Sequence, residues 1–356
     1  MSKQYPSLAH RLIDYYRSTT PSFVPVKSAS ADASQQAQLY RFLASIGDTL
    51  ASDPGIVGLP STEDGHFSWD QLYKHNLQLK KDIQSTAKKL KQFSEFMISL
   101  GNLGKAVDGT LVVLTKEARI TPGKATLLSK LGLDVARTSD ETRLSHPRAP
   151  GIPLAWKLLS QIVGQDAKTA VFFFSRGIFA PSSAMLLQVF GEKLGDGKAV
   201  DGYIAFLQQR GFASQLDLSA DGSQLKIIYE KKIKGTRKPL GGFCLTSDVL
   251  RGNQPACGID LVESLKFMQH HAAMDPELRD FVFNASRACN HCGYCIQTNK
   301  KQPYKSVRMK VDGETVMKCP FFLATRWTQL DGDLVRVMEK AILFNEEVVA
   351  GLPEAN

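Results

Sequence analysis

Four thiols near the C-terminus are the residues best suited to chemistry. They stand in Cys289-Asn-His-Cys292-Gly-Tyr-Cys295 and, further on, at Cys319 directly before Pro320. Clustered cysteines in a reducing compartment more often hold metal than pair as disulfides. A C-x2-C loop can turn both sulfurs toward one ion, and Gly293 lets the chain turn sharply after the second without a Cβ in the way. The expectation is a four-cysteine site made of Cys289, Cys292, Cys295 and Cys319. Zinc fits it as a tetrahedral sulfur-bound ion. The alternative is a 4Fe-4S cluster, because C-x2-C-x2-C and a closing Cys-Pro are parts of the bacterial ferredoxin run, although the last spacing here is far longer. The third alternative is no metal. His291 can stand in for Cys295 as a ligand, but side chains between knuckle cysteines tend to face away from the metal, so a surface or supporting histidine is the plainer expectation.

A fourth sulfur so far along the chain needs an element to return it. Ser306 to Val311 and Glu314 to Lys318 read as two strands joined at Asp312-Gly313, a pair suited to a type I′ turn. With Val311 opposite Glu314, Met309 meets Val316 and Ser306 meets Cys319, which carries Cys319 back toward the cysteine loop. Val307, Met309, Val311 and Val316 then share one face. The knuckle followed by a hairpin resembles zinc ribbons over about thirty residues, which implies a structural rather than a catalytic ion. The basic stretch Asn299 to Lys305, with Arg308 and Lys310 beyond it and Tyr294 and Tyr304 interleaved, can hold a phosphate backbone and stack bases. Equally, its charge can offset that of the thiolates.

At 356 residues the chain suits two or three domains. Its 43% hydrophobic and 22% charged content is ordinary for a globular protein. No window is apolar enough for a membrane span, and Met1 to Pro6 lacks the basic start and apolar run of a signal peptide, so a cytoplasmic location is expected. The net charge of +9 permits association with nucleic acid or an acidic protein, and equally describes a soluble, lysine-rich surface.

The organisation expected is α+β: a mainly helical region over 1–136, a polar, proline-bearing linker over 137–153, an α/β middle over 154–286, and a metal-binding hairpin with a terminal helix over 287–356. Apolar spacing gives helices at Tyr5–Tyr16, Gln35–Ala51 and Trp69–Leu100. The last carries Lys74, Lys80, Lys81, Lys88, Lys89 and Lys91, which read first as a solvated face and second as a phosphate-facing stripe. Gly109–Thr115 is strand-like, and Thr121-Pro122 opens a helix. Ala170–Phe174 reads as core material.

The middle region has the order helix, turn, helix and hairpin: Ser182–Leu194, Lys198–Arg210, then strands at Gln215–Leu218 and Gln224–Glu230. That order is winged-helix-like, with the second helix able to enter a DNA groove. The second helix carries polar side chains mostly at its ends, so a small α+β domain ending in a lysine loop is the plainer expectation. Gly-Lys pairs at 104, 123 and 197 do not complete a phosphate loop. Cys244 and Cys257 read as small buried residues first, and as a redox pair or extra ligands second. Helices are expected at Ile259–His271, Pro276–Ser286 and Leu330–Val349.

Three functional classes remain open at this point. One is a cytoplasmic protein with a structural four-cysteine zinc that binds nucleic acid or an acidic partner. Another is an iron–sulfur protein for electron transfer or redox sensing. The last is a small-molecule enzyme with a stapling zinc, for which there is no Ser/His/Asp order, paired carboxylates or dinucleotide fingerprint.

Overall fold

Apolar residues at helical spacing set the first three helices, α1 (Leu8–Ser18), α2 (Ala33–Ser52) and α3 (Leu77–Leu103). The computed structural model describes residues 8–59, 77–167, 169–219, 224–234, 236, 238–248, 255–289, 306–311, 313–320 and 327–351. Helix α2 starts at a complete capping box: the Asp32 carboxylate accepts from the Gln35 N–H, and the Gln35 side chain accepts from the Asp32 N–H. Its buried stripe is Gln36, Leu39, Phe42, Leu43, Ile46 and Leu50. Helices α2 and α3 both pack on a further helix, α5 (Ile152–Val163). There the Trp156 indole N–H donates to the Met97 carbonyl at 2.9 Å. The approach is close: a Cβ on Gly101 would lie 2.8 Å from Trp156 Cδ1.

A four-stranded antiparallel sheet completes this part. Its order is β1 (Lys105–Val107), β2 (Thr110–Leu114), β4 (Glu141–Ser145), β3 (Asp134–Arg137). Leu111, Val113, Thr142 and Leu144 alternate onto its buried face, where α3 and α5 cover them. Helix α4 (Pro122–Lys130) starts at the Thr121 cap, and Gly132 follows it at φ +93. The short helix α6 (Ala170–Ser175) is buried along nearly its whole length and packs on α3 and α5. After it comes α7 (Ser183–Gly191).

The chain divides into two compact units. The first comprises Met1–Val189 with Leu218–Leu225 and Ser247–Asn253; the second comprises Phe190–Asp217, Lys226–Thr246 and Gln254–Asn356. Mostly within the second, β5 (Ala213–Leu218), β6 (Gln224–Lys231), β7 (Leu240–Asp248) and β8 (Ala256–Asp260) form a sheet in that order. Helix α8 (Gly197–Gln209) buries Val200, Tyr203, Ile204 and Leu207. The Tyr203 hydroxyl donates to the Gly242 carbonyl at 2.7 Å, which fixes the helix on β7. The backbone approaches the helix closely there: a Cβ on Gly242 would meet Leu207 Cδ2 at 2.5 Å. Helices α9 (Ser264–Gln269), α10 (Pro276–Ala285) and α11 (Gly332–Ala350) follow, and α11 packs on α8, α9 and α10. Asn345 of α11 is fully buried and grips the Val262 backbone through both its amide atoms.

The structure corrects the expected architecture at several points. The molecule is a mixed α+β fold of helices and antiparallel sheets, and among the described residues no side-chain group forms the cysteine metal module expected at its C-terminal end. The hairpin after α8 is not a wing but half of a four-stranded sheet, and the exposed side of α8 carries Asp201 and Ala205 beside Lys198. The helix expected from Ile259 instead begins at Ser264, because Ala256–Ile259 is buried on both faces and pairs with β7.

Candidate ligand-binding site

The C-terminal hairpin forms in the expected register. Strands β9 (Val307–Val311) and β10 (Glu314–Lys318) pair Val311 with Glu314 and Met309 with Val316, and Val307, Met309 and Val311 are buried. Gly313 takes φ +85 at the turn, while Asp312 lies outside the described residues. Residues 287–289 then run antiparallel to 317–319: Cys289 N–H donates to Met317 O at 2.7 Å and Cys319 N–H to Arg287 O at 2.9 Å. Cys289 and Cys319 therefore share one face as diagonal neighbours, a relation with Cα atoms about 7–8 Å apart. Cys319 is buried and Cys289 half-buried, and neither forms a disulfide.

Cys292 and Cys295, with His291 and Tyr294, lie outside the described residues. Among the described residues, no group of three or more His, Cys, Asp or Glu side chains could hold a metal ion. This finding overturns the four-cysteine metal module, the zinc and 4Fe-4S assignments and the zinc-ribbon resemblance. Two described thiols without a third described donor fall short of the four ligands that either centre needs. Cys257, paired opposite Leu245, is fully buried, and burial pushes its thiol up to about 12. A thiol held protonated in this way is a poor nucleophile and packs as a small apolar residue.

The chemistry-bearing concavity lies elsewhere, in the first unit. A cavity of about 590 Å³ opens among α1, α2, α3 and α6. Its apolar walls include Ile13, Leu43, Ile46, Leu50, Leu90, Phe93, Met97 and Phe174. Each wall follows from a helical stripe. α1 contributes Ile13 and Tyr16, α2 contributes 43, 46 and 50, and α3 contributes 90, 93, 94 and 97, a spacing that keeps each set on one side of its helix.

Two kinds of polar group break this lining. Toward solvent, Arg17 joins α1 to α2: its guanidinium lies 2.6 Å from the Asp48 carboxylate and 3.6 Å from that of Asp14. All three side chains are about half exposed or more. At depth stands Arg176, only 1% exposed and immediately after α6. Its Nε donates to Thr19 Oγ1 at 2.8 Å, and Nη1 donates to Phe172 O and Ser175 Oγ at 3.1 and 3.2 Å. The guanidinium carbon sits 3.7 Å from the centre of the Phe172 ring and 4.7 Å from that of Tyr16. Burial lowers its pKa to about 10, partly countered by Tyr15 and Tyr16, so it stays charged at neutral pH. Burial likewise raises the Tyr40 pKa; its hydroxyl donates to Pro21 O at 2.7 Å and is neutral.

An apolar chamber of this size with a few convergent polar groups is the arrangement that admits a small organic ligand. Sequence reasoning passed over it. The available signal was an arginine embedded in the apolar run Ala170 to Phe179, a place where a charge is costly unless it is used.

The basic residues read as a phosphate-facing stripe are partly taken up within the fold. Lys89 donates to Gly58 O at 2.5 Å and Lys91 pairs with Glu95 at 3.2 Å. Lys74 lies outside the described residues. No helix among the described residues is long and apolar enough to cross a membrane. Comparison of the chain with protein-family models, with curated proteins and with solved structures gives no match.

Proposed function

We propose that the chain is a binding protein for a small, largely apolar molecule, held in the cavity of its helical first unit. The observation that carries this reading is the chamber itself: about 590 Å³, walled by Leu, Ile, Phe and Met. That volume falls within the range of about 300–1,000 Å³ typical of ligand pockets. Thermal unfolding of the full chain against a library of small metabolites tests it. A ligand at a hundred times its Kd stabilises the folded state by about 2.7 kcal/mol. The same scan on Ser94→Phe, which pushes a ring into the chamber from α3, should lose the shift. A library without a single stabilising member, or a shift that survives in Ser94→Phe, would overturn the reading.

A second reading concerns a macromolecular partner, and the charge distribution favours it. Residues 1–189 hold 22 Lys and Arg against 15 Asp and Glu, which accounts for most of the chain's surplus of +9. A polyanion such as nucleic acid, or an acidic protein, is the partner that such a surplus supports, with the cytoplasm as the compartment. This reading and the cavity reading concern different surfaces and do not exclude one another.

A further inference from the structure

Resting on the cavity reading, we infer that the ligand is an uncharged, mostly hydrocarbon molecule with an acceptor oxygen that receives a hydrogen bond from the Ser94 hydroxyl. Ser94 belongs to the buried series Ala87, Leu90, Ser94 and Met97 of α3, whose spacing keeps all four on one side of the helix. It is 5% exposed and lines the chamber between Leu90 and Met97. Among the described residues its hydroxyl meets no hydrogen-bond partner. Other hydroxyls of the lining are taken up within the fold. Ser18 donates to Tyr15 O at 3.1 Å, Thr20 to Tyr16 O at 2.8 Å, Ser175 to Phe172 O at 3.2 Å and Tyr40 to Pro21 O at 2.7 Å. The first three bond back along their own chain in the manner usual for helical hydroxyls. Ser94 makes no such bond onto α3, so its O–H is left to the chamber.

The charged side chains of the lining are engaged as well. Arg17 bridges Asp14 and Asp48 at the exposed rim. Arg176 donates to Thr19, Phe172 and Ser175, and the Phe172 and Tyr16 rings stand against its guanidinium. An ionic head drawn in among the apolar walls would give up its water without gaining a counter-charge, which costs far more than burying a neutral group that finds a partner. A pure hydrocarbon meets the opposite difficulty. It fills the space but shuts the Ser94 O–H away from any acceptor, and a buried donor left unpaired is expensive. A ketone, ether, ester or alcohol oxygen removes that cost without bringing a charge. The rest of the molecule is hydrocarbon because Ile13, Leu43, Leu90, Phe93, Met97 and Phe174 face it.

The experiment is isothermal titration of the full chain with four probes that share two phenyl rings: diphenylmethane, benzophenone, diphenylacetate and benzhydrylammonium. Benzophenone should bind about fivefold or more tightly than diphenylmethane, the worth of one satisfied hydrogen bond. The anion and the cation should each bind at least about tenfold more weakly than benzophenone. Ser94→Ala, a change that favours the helix and so keeps the fold, should bring benzophenone down to the affinity of diphenylmethane and leave diphenylmethane itself unaltered. Equal binding of the ketone and the hydrocarbon, or a preference that survives in Ser94→Ala, removes the Ser94 assignment; loss of both probes in Ser94→Phe then shows the cavity reading to be intact. Either ion binding as tightly as benzophenone removes the uncharged ligand. Where all four probes fail and the metabolite library yields a ligand, a charged ligand, or one whose affinity Ser94→Ala does not change, overturns the inference, and a neutral one weakened about fivefold by Ser94→Ala supports it. Failure of probes and library together removes both readings.

Discussion

Arg176 shows how much a single side chain can hold at a junction. Its fork ties the end of α1, through Thr19, to α6, through Phe172 and Ser175. Arg176→Met keeps much of the side-chain volume but abandons these bonds, two of them to partly or fully buried hydroxyls. Each lost bond from a charged donor is worth about 1.5–3 kcal/mol. The variant should unfold at distinctly lower denaturant than the unaltered chain, with the cost checked by equilibrium urea unfolding. Asn345 offers a cleaner case in the second unit. Asn345→Ala leaves the Val262 N–H and C=O without their side-chain partners in a buried place. A loss of about 1–3 kcal/mol per unsatisfied group is expected in the same measurement. Glu277 adds a pH dependence. Hydrogen bonds from Arg336 and then Lys340 hold its carboxyl down at about 2, against an ordinary 4.5. Because the folded-state pKa is the lower one, its stabilisation is present above about pH 4.5 and is lost as pH falls through about 2. Glu277→Gln should therefore lower the melting temperature near neutrality and converge with the unaltered chain in strong acid.

Among the elements, local signals and observed structure agree where one face of a helix or strand meets a core. The stripe Leu39, Phe42, Leu43, Ile46 and Leu50 places α2 from spacing alone, and its cap is a reciprocal pair between Asp32 and Gln35. Asp32→Ala should cost about 1 kcal/mol by chemical denaturation, the usual worth of such a cap. The hairpin register was equally legible, since a two-residue turn with glycine at positive φ leaves one way to pair Val311 with Glu314. Legibility failed in 137–153, where polar residues and prolines read as a linker. Glu141–Ser145 is a central strand there, and Pro153 occupies the first turn of α5, where its missing N–H costs nothing. The strand was hidden because Thr142, a polar residue, takes a buried position by bonding to Thr115 across the sheet at 2.9 Å. Helix α6 was hidden for the opposite reason: Ala170–Phe174 is buried all round, and an all-apolar run has no period to read.

For the molecule as a whole, the charge surplus and the chamber make separate claims on partners. If a polyanion binds the basic surface, its affinity for mixed DNA or RNA should fall linearly in log–log form with salt, with a slope of about −0.7 to −0.9 per phosphate contact. Ser94→Phe should not change that slope, because its side chain is buried away from the surface. A fluorescence-anisotropy titration over a salt series checks both statements, and no binding even at low salt removes the polyanionic partner. Composition and local spacing determined that the chain is a basic α+β protein, and they placed its amphipathic helices and terminal hairpin, because those depend only on which residues follow which. Whether side chains far apart in sequence converge is another matter. Four cysteines in a suggestive spacing leave two described thiols and, among the described residues, no metal-binding group, while Ile13, Leu43, Leu90 and Phe174, from four separate helices, enclose a chamber around a buried arginine. Packing decided the chamber, since a cavity belongs to the gaps between elements and no single segment of sequence encodes it.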